Sequence, residues 1–272
     1  TKKVLEEYPH FNIVGEEWSL NPAIVSYWQK GKINADGYRC DLPSLMDFPL
    51  QNSVSNGLRN TENWDNGLIQ VYESLANDFL YPNAANLVIF PDNHDMSRFY
   101  VQVGENPELL KLGLTFFLTT RGVPQIYYGT EIMMRHEGGE HGNIRADFPG
   151  GWEGDAVNAF TGEGLTDGQK EMQKYISTIL NWRKNCRVIH SGKLMHYVPQ
   201  EGIYVYFRYN ENESVMVILN KNTEAKKLTT GRFAERLNGF TKGNEIITST
   251  ELNQINEITI PARSAMIIEL KK

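Results

Sequence analysis

Short apolar runs alternate with stretches of helical periodicity along the first two thirds of the chain. Short runs predict buried strands, whereas apolar residues recurring every three or four positions predict amphipathic helices. Because parallel strands need a crossover between them, this order predicts βα units around a parallel sheet. The predicted strands span residues 11–15, 42–50, 85–90 and 123–128, and the predicted helices lie near 68–79, 107–118 and 166–180.

The apolar positions of the predicted helices are expected to face the core. In the first helix they end at Phe79, and in the last they include Leu180. Thr166 with Gln169 three positions later forms a capping-box signature, which sets the start of that last helix.

The pattern changes near residues 185–190. From there on, apolar residues alternate with others or form short runs at 203–209, 215–219, 258–260 and 266–270, which is typical of antiparallel strands. The sequence therefore predicts two units, an α/β domain over residues 1–187 and a small antiparallel β domain over 188–272.

Composition narrows the range of partners. The net charge of −6 among 272 residues argues against a nucleic-acid partner, because phosphate binding needs clustered lysine and arginine. No apolar run approaches the roughly 20 residues of a membrane-spanning helix, so no membrane span is expected. Cys40 and Cys186 are too few and too far apart for a disulfide framework, and we interpret both as free thiols. The compartment stays open, with a periplasmic or secreted location favoured over the cytoplasm.

Carboxylates follow two of the predicted strands directly. Glu16 and Glu17 end the first strand, and Asp92 and Asp95 follow the third. In a β/α barrel the active site forms at the carboxyl ends of the strands, so these positions are candidates for catalysis. A helix cap or a solvated charge is the structural alternative for each one taken alone.

Several segments resemble strands of the α-amylase superfamily of glycoside hydrolases. GE at 15–16, FPDNHD at 90–95 with RF at 98–99, and GVPQIYYGTE at 122–131 are similar to the fifth, seventh and eighth barrel strands. LMDFPL at 45–50 is similar to the sixth-strand region of neopullulanase and cyclomaltodextrinase-like members. The resemblance implies the C-terminal half of a (β/α)8 TIM-type barrel followed by a β-sandwich domain.

The resemblance also implies roles for individual residues. Glu16 would be the general acid/base, Asp95 the stabiliser of the transition state, and His94 a ligand of the sugar hydroxyls. Glu17 is the alternative to Glu16, because neighbouring residues of a strand point to opposite faces. The implied substrates are starch-derived glucans, maltooligosaccharides, cyclodextrins or pullulan.

The family's nucleophile is an aspartate in a Gly-x-Arg-x-Asp pattern that precedes the acid/base glutamate. The matching segment here, Gly37 to Asp41, comes after Glu16, and we interpret it as a coincidental turn, although a rearranged site with Asp41 as nucleophile stays open. We therefore expect the first half of the barrel to be missing from these 272 residues, which alone should be inactive.

Such a half-barrel should pair with its missing half or with another copy. The competing interpretation is a non-catalytic carbohydrate-binding relative.

Further candidates come from aromatic and charged residues near the predicted site. Arg145, Asp147 and Trp152 lie in a glycine-rich loop, where they would contact sugar or anchor the loop. Trp18 and Tyr128 are further candidates for substrate binding.

Three other features are assigned supporting roles or none. Arg98 would brace the carboxylates or lie at the surface, and Glu131 would support the glycine-rich loop. His136 and His141 are five positions apart around two glycines, which does not fit a helical zinc motif. No metal or cofactor is expected, and no convincing oxygen-ligand cluster for calcium is present.

Overall fold

A computed structural model describes residues 1–136 and 139–272. Short strands alternate with helices up to residue 191, and the remainder is mostly antiparallel β-structure. Within the described residues no helix is both long and apolar enough to span a membrane. The helices are α1 (Lys2–Glu7), α2 (Pro22–Tyr27), α3 (Phe48–Arg59), α4 (Leu68–Ala76), α5 (Phe99–Gln102), α6 (Pro107–Thr119), α7 (His141–Ile144), α8 (Asp167–Asn185), α9 (Arg187–Ser191) and α10 (Ala234–Leu237). The strands are β1 (Val14–Gly15), β2 (Ser44–Leu45), β3 (Val88–Ile89), β4 (Val123–Pro124), β5 (Lys193–His196), β6 (Ile203–Tyr209), β7 (Ser214–Asn220), β8 (Lys226–Thr229), β9 (Lys242–Glu245), β10 (Thr250–Leu252), β11 (Glu257–Ile260) and β12 (Ser264–Lys271).

The first four strands run parallel and neighbour one another in chain order. β1 pairs with β2, and β3 pairs with β4. A parallel bridge between Met46 and Val88 joins the two pairs. The carboxyl ends of these strands therefore lie at the same edge, as βα units require.

Two helices begin where the apolar pattern alone suggests none. Residues 42–50 form the short strand β2 and then the start of α3, because the Asp47 side chain accepts a hydrogen bond from the Leu50 amide at 3.1 Å. Asn21 caps α2 in the same way, by accepting from the amide of Ala23. Both caps are followed by a proline in the first turn, which is the signal that the periodicity misses.

Two of the predicted core positions are wrong. Phe79 lies in a 3₁₀ turn after the end of α4, and its side chain is 80% exposed. Leu180 on α8 is 41% exposed, whereas Met172, Ile176 and Ile179 on the same helix are buried as predicted. The predicted capping box at Thr166 is present, with the Gln169 amide donating to the Thr166 hydroxyl.

The C-terminal part contains a six-stranded antiparallel sheet in the order β10-β9-β12-β7-β6-β5. β8 and β11 form a second antiparallel pair, and Ile258 and Ile260 from that pair share a buried cluster with Phe207 and Ile218 of the sheet. The opposite face of the sheet shares the main core with α6 and α8. Strand β6 is therefore covered on both faces, so Tyr204 and Tyr206 are both buried.

Basic side chains tie the β-sheet to the ends of the preceding helices. At the C-terminus of α6, Arg208 of strand β6 donates to the carbonyl of Thr120. Arg183 of helix α8 donates to the carbonyl of Leu118 at the same end. Lys221 does the same for α3 by donating to the carbonyl of Gly57 at 2.7 Å. Cations stabilise helix C-termini, where the last carbonyls lack partners within the helix. The domain boundary between residues 187 and 188 stays a prediction, and α9 crosses it.

Candidate active site

The segment after β3 folds back on itself around a buried aspartate. The Asp92 carboxylate accepts hydrogen bonds from the Phe99 amide at 2.8 Å, from Arg98 Nε at 3.1 Å and from Thr130 Oγ1 at 3.0 Å. Burial raises the pKa of Asp92, and the neighbouring guanidinium of Arg98 opposes that shift. These bonds fix residues 92–99 as a closed loop at the carboxyl end of the sheet.

Arg98 connects this loop to the one after β4. Its side chain is completely buried and pairs with the Asp92 carboxylate, so the surface alternative for Arg98 is wrong. The guanidinium lies 4.5 Å from the centre of the Tyr127 ring and donates to the Tyr128 carbonyl. Its backbone amide donates to the carbonyl of His136 at 2.9 Å. The two loops are therefore held as one unit.

Asp95 lies on the open side of this unit, where several basic groups converge. Its side chain is 27% exposed, with His94 Nε2 3.2 Å from Oδ2 and Arg145 Nη2 2.6 Å from Oδ1. Arg145 Nε also donates to the carbonyl of His94 at 3.0 Å. His141 Nδ1 lies 3.6 Å from Asp95 Oδ1. The sequence-predicted residues His94, Asp95 and Arg145 thus come together around one carboxylate that water still reaches.

The loop that carries Arg145 also positions an exposed indole. Trp152 is 68% exposed, and its Nε1 donates to Asp147 Oδ2 at 2.9 Å. The Asp147 carboxylate therefore anchors the loop, while the charged partner of Arg145 is Asp95 rather than Asp147.

Tyr128 and Glu131 support the same region. The Tyr128 hydroxyl donates to the carbonyl of Ala146 at 2.9 Å, which attaches the loop after β4 to the loop that carries Arg145. Glu131 is partly buried, and burial raises the pKa of its carboxyl. The neighbouring Tyr127 ring is also shielded from water, and burial raises the pKa of its hydroxyl to about 12.

Glu16 lies at the end of β1 with its side chain exposed. Within the described residues, no hydrogen bond or ion pair joins Glu16 to the Asp95 cluster. Trp18, two positions further on, is half exposed and stacks on Phe48 with ring centres 4.6 Å apart.

Asp41 lies at the opposite end of the parallel strands from Glu16 and Asp95. It precedes β2, whereas Glu16 and Asp95 follow the carboxyl ends of β1 and β3. The turn predicted before it is present, because Asp36 accepts a hydrogen bond from the Tyr38 amide at 3.0 Å. The structure therefore separates Asp41 from the other candidate carboxylates by the length of a strand.

Sequence reasoning misses His141 as a member of the cluster. His141 begins α7, and its spacing from His136 does not fit a zinc motif; Glu137 and Gly138 between them lie outside the described residues. The sequence carries no signal for its contact, since 46 positions separate it from Asp95. The buried Asp47 is missed too, although its place before a first-turn proline could have identified it as a cap.

Comparison with known proteins relates the chain to one family. A family model described as the cyclo-malto-dextrinase C-terminal domain matches residues 194–269. The cyclomaltodextrin glucanotransferase of Niallia circulans is 30% identical over 268 residues, covering 92% of this chain and 32% of the relative. An α-amylase of Niallia circulans is 28% identical over 227 residues, covering 80% of this chain and 39% of the relative.

Solved structures give the same result for the fold. An α-amylase from Geobacillus thermoleovorans complexed with acarbose superposes with a TM-score of 0.76 at 21% identity, covering 100% of this chain and 56% of that one. An Anoxybacillus α-amylase gives a TM-score of 0.78 at 22% identity, with coverages of 99% and 54%. The chain belongs to the α-amylase family and corresponds to a C-terminal portion of its members. The chain spans about a third of the length of the Niallia circulans glucanotransferase and about half of each of the two α-amylase structures.

Proposed function

We propose that this chain is part of a retaining α-glycosidase that cleaves α-glucosidic bonds in starch-derived glucans, with maltooligosaccharides, cyclodextrins or pullulan as substrates. The observation that carries the proposal is the Asp95 carboxylate, held by His94 and Arg145 at the carboxyl ends of parallel strands. In this chemistry a carboxylic acid protonates the leaving oxygen and a second carboxylate attacks the anomeric carbon. Asp95 would bind the sugar hydroxyls and stabilise the transition state, with His94 beside it.

The alternation of β1 supports Glu16, rather than Glu17, as the general acid/base. Val14 is half exposed and lines a groove of about 500 Å³ together with Val88 and Val123 of the neighbouring strands. Gly15 faces the other way, because a side chain there would collide with Leu42. Continued alternation would put Glu16 on the same face as Val14, at the carboxyl end of the strand, which supports Glu16 as the acid/base.

The same groove supports the assignment of β1 to β4 as strands five to eight of a (β/α)8 barrel. Val14 and Val123 each expose half of their apolar surface on the face that a barrel would close. In the proposal the remaining strands cover this face, supplied by the other half of the barrel or by a second copy. Residues 1–187 would then be the barrel portion, and 188–272 the β-sandwich.

The nucleophile is the part of the site that we assign outside these 272 residues. Asp41 precedes β2, so a substrate bound at the opposite strand ends cannot meet it without rearrangement. We therefore expect the isolated chain to be inactive, since retaining chemistry without its nucleophile loses the covalent step. The sequence encoded immediately before Thr1 tests this directly: an apolar strand that ends in Arg-x-Asp is expected, and its absence contradicts the assignment.

A non-catalytic carbohydrate-binding relative is the second candidate, and the position of Asp41 favours it. The two candidates differ in turnover rather than in binding. Titration with maltoheptaose beside a reducing-sugar assay, on the protein that contains all eight strands, separates them. The hydrolase proposal expects Glu16→Gln to abolish turnover and the matched variant Glu17→Gln to retain it. Binding without turnover in the unaltered protein establishes the second candidate.

A further inference from the structure

The strongest unassigned feature is an exposed tryptophan beside a groove between the two parts of the chain. Trp64 lies in the loop between α3 and α4 with 94% of its side chain exposed. The groove has a volume of about 790 Å³ and runs between this loop and residues 198–202 of the β domain. Ligand pockets in proteins span about 300–1,000 Å³, so the groove is large enough for several sugar rings.

The loop that presents Trp64 is held in one conformation. Asn63 Oδ1 accepts hydrogen bonds from the amides of Asp65 at 3.0 Å and Asn66 at 2.9 Å, which places Trp64 at the tip of a tight turn. The backbone of the turn therefore does not need to be ordered when a ligand arrives. Preorganisation of this kind lowers the entropic cost of binding.

The two walls of the groove are tied together at its base. Lys221 Nζ from the β domain lies 2.8 Å from Glu62 Oε1, and the same carboxylate oxygen accepts from the Leu68 amide at 3.1 Å. The opposite wall is a tight turn at Glu201 and Gly202, both with positive φ, and the Glu201 carbonyl accepts from the side chain of Asn222. The groove is therefore formed before any ligand binds.

The chemistry of the rim selects the ligand. Asp65, Glu73 and Glu201 line the groove, and within the described part of the chain none of these three carboxylates forms an ion pair. They disfavour anions, and they can accept hydrogen bonds from hydroxyl groups. The exposed indole offers a flat apolar face for the C–H face of a pyranose ring. Ile69, Val198 and Pro199 also line the groove, so the apolar faces of several sugar rings would meet apolar side chains there.

We propose that Trp64 and the acidic groove beside it form a second binding site for a neutral α-glucan, separate from the Asp95 cluster. The choice of an α-glucan rests on the proposed function. A glucan held here would stay attached to the protein while another part of the same polymer occupies the active site. Two linked contacts raise the overall affinity for a long chain without any new contact at either site.

The test uses the chain labelled with 5-fluorotryptophan, whose five indoles give separate ¹⁹F signals. Trp64→Phe assigns the groove signal, and Trp152→Phe assigns the signal from the loop that carries Arg145. We expect maltoheptaose to shift the Trp64 signal saturably, and Asp95→Asn to leave this shift unchanged. Calorimetry should show at least about tenfold weaker binding at the groove in Trp64→Ala, with the Trp64→Phe variant in between.

Each contrary result has a distinct meaning. If maltoheptaose shifts the Trp152 signal and not the Trp64 signal, the second site is ruled out while the proposed function stands. If neither signal moves, the second site is ruled out, while the proposed function is decided by the turnover assay on the protein that contains all eight strands. If cellohexaose, with its β-linkages, shifts the Trp64 signal as strongly as maltoheptaose does, the groove is not selective for α-glucans and the assigned ligand class is wrong.

Discussion

Two aspartates that lie three residues apart in the same loop each pair with an arginine, and the two pairs behave in opposite ways. Asp92 and Arg98 are completely buried and 3.1 Å apart. Asp95 and Arg145 are 27% and 45% exposed, and their atoms are only 2.6 Å apart. The shorter contact is therefore the more exposed one. Distance alone does not rank the two pairs by their contribution to stability, because solvent screening weakens the exposed pair and not the buried one.

The surroundings of the two carboxylates explain what each pair is for. Asp92 accepts bonds from Arg98, from the Phe99 amide and from Thr130, so its oxygens are occupied within the fold. Asp95 is reached by side chains that are themselves exposed, and water still has access to it. The first pair sets the shape of the loop, and the second remains available to a ligand.

The largest expected effect comes from removing the buried cation. Arg98→Met leaves the Asp92 carboxylate buried without its partner, which typically costs about 3–5 kcal/mol. We expect urea unfolding to show a fall of this size in the free energy of unfolding. A loss below about 1 kcal/mol would show that the buried pair contributes no more than a surface pair and would remove the basis of the comparison.

A largely buried cation, Lys221, tests whether the loss of stability depends on an aspartate partner. Lys221 is 10% exposed and bonds mainly to backbone carbonyls of α3 and to Glu62. Hydrogen bonds to a charged group contribute about 1.5–3 kcal/mol, so Lys221→Met should cost about 2 kcal/mol in urea unfolding. Lys227, which pairs with Glu257 at the surface, provides the matched control, and Lys227→Met should cost much less. Equal losses for the two lysines would contradict this assignment.

The pH dependence of Arg98→Met distinguishes an uncompensated charge from lost packing. Burial already raises the pKa of Asp92, and without Arg98 nothing equivalent opposes that rise. A folded-state pKa above the unfolded value means that the folded protein binds the proton more tightly, so stability falls as the pH rises through that window.

The deficit of Arg98→Met relative to the unaltered chain should therefore shrink as the pH is lowered toward the ordinary pKa of an aspartate. The change is about 1.4 kcal/mol for each pH unit within the window. Urea unfolding at a series of pH values measures it. A deficit that is constant with pH would indicate that the loss comes from packing of the arginine against Tyr127.

Part of the fold and of the candidate site could be predicted from the sequence alone. The strand order and the loop positions of Glu16 and Asp95 depend on local apolar runs and short motifs, so they were predictable. The capping box at Thr166 is local as well. The apolar pattern does not predict the start of α3 at Phe48, because one apolar run continues from the strand into the helix without a change in hydrophobicity.

Contacts between loops could not be predicted in this way. Arg145 and His141 reach Asp95 across about 50 positions, through loops whose path depends on the buried bonds of Asp92 and Arg98. No periodicity encodes such a path. The exposed Phe79 is a related case, because a 3₁₀ turn rotates it away from the face that helical spacing assigns to it.

The smallest effect on stability is expected at the exposed pair. Arg145→Met should change the free energy of unfolding by less than about 1 kcal/mol, because the ion pair is screened by water and its side chains lose little on separation. Urea unfolding at low and high salt measures this, and the small difference from the unaltered chain should shrink further in high salt. Maltoheptaose binding at the Asp95 cluster should nevertheless weaken, since the arginine orients the carboxylate toward the ligand. A large loss of stability with unchanged binding would mean that Arg145 serves the fold as Arg98 does, and the division of the loop into a structural pair and a ligand-facing pair would be wrong.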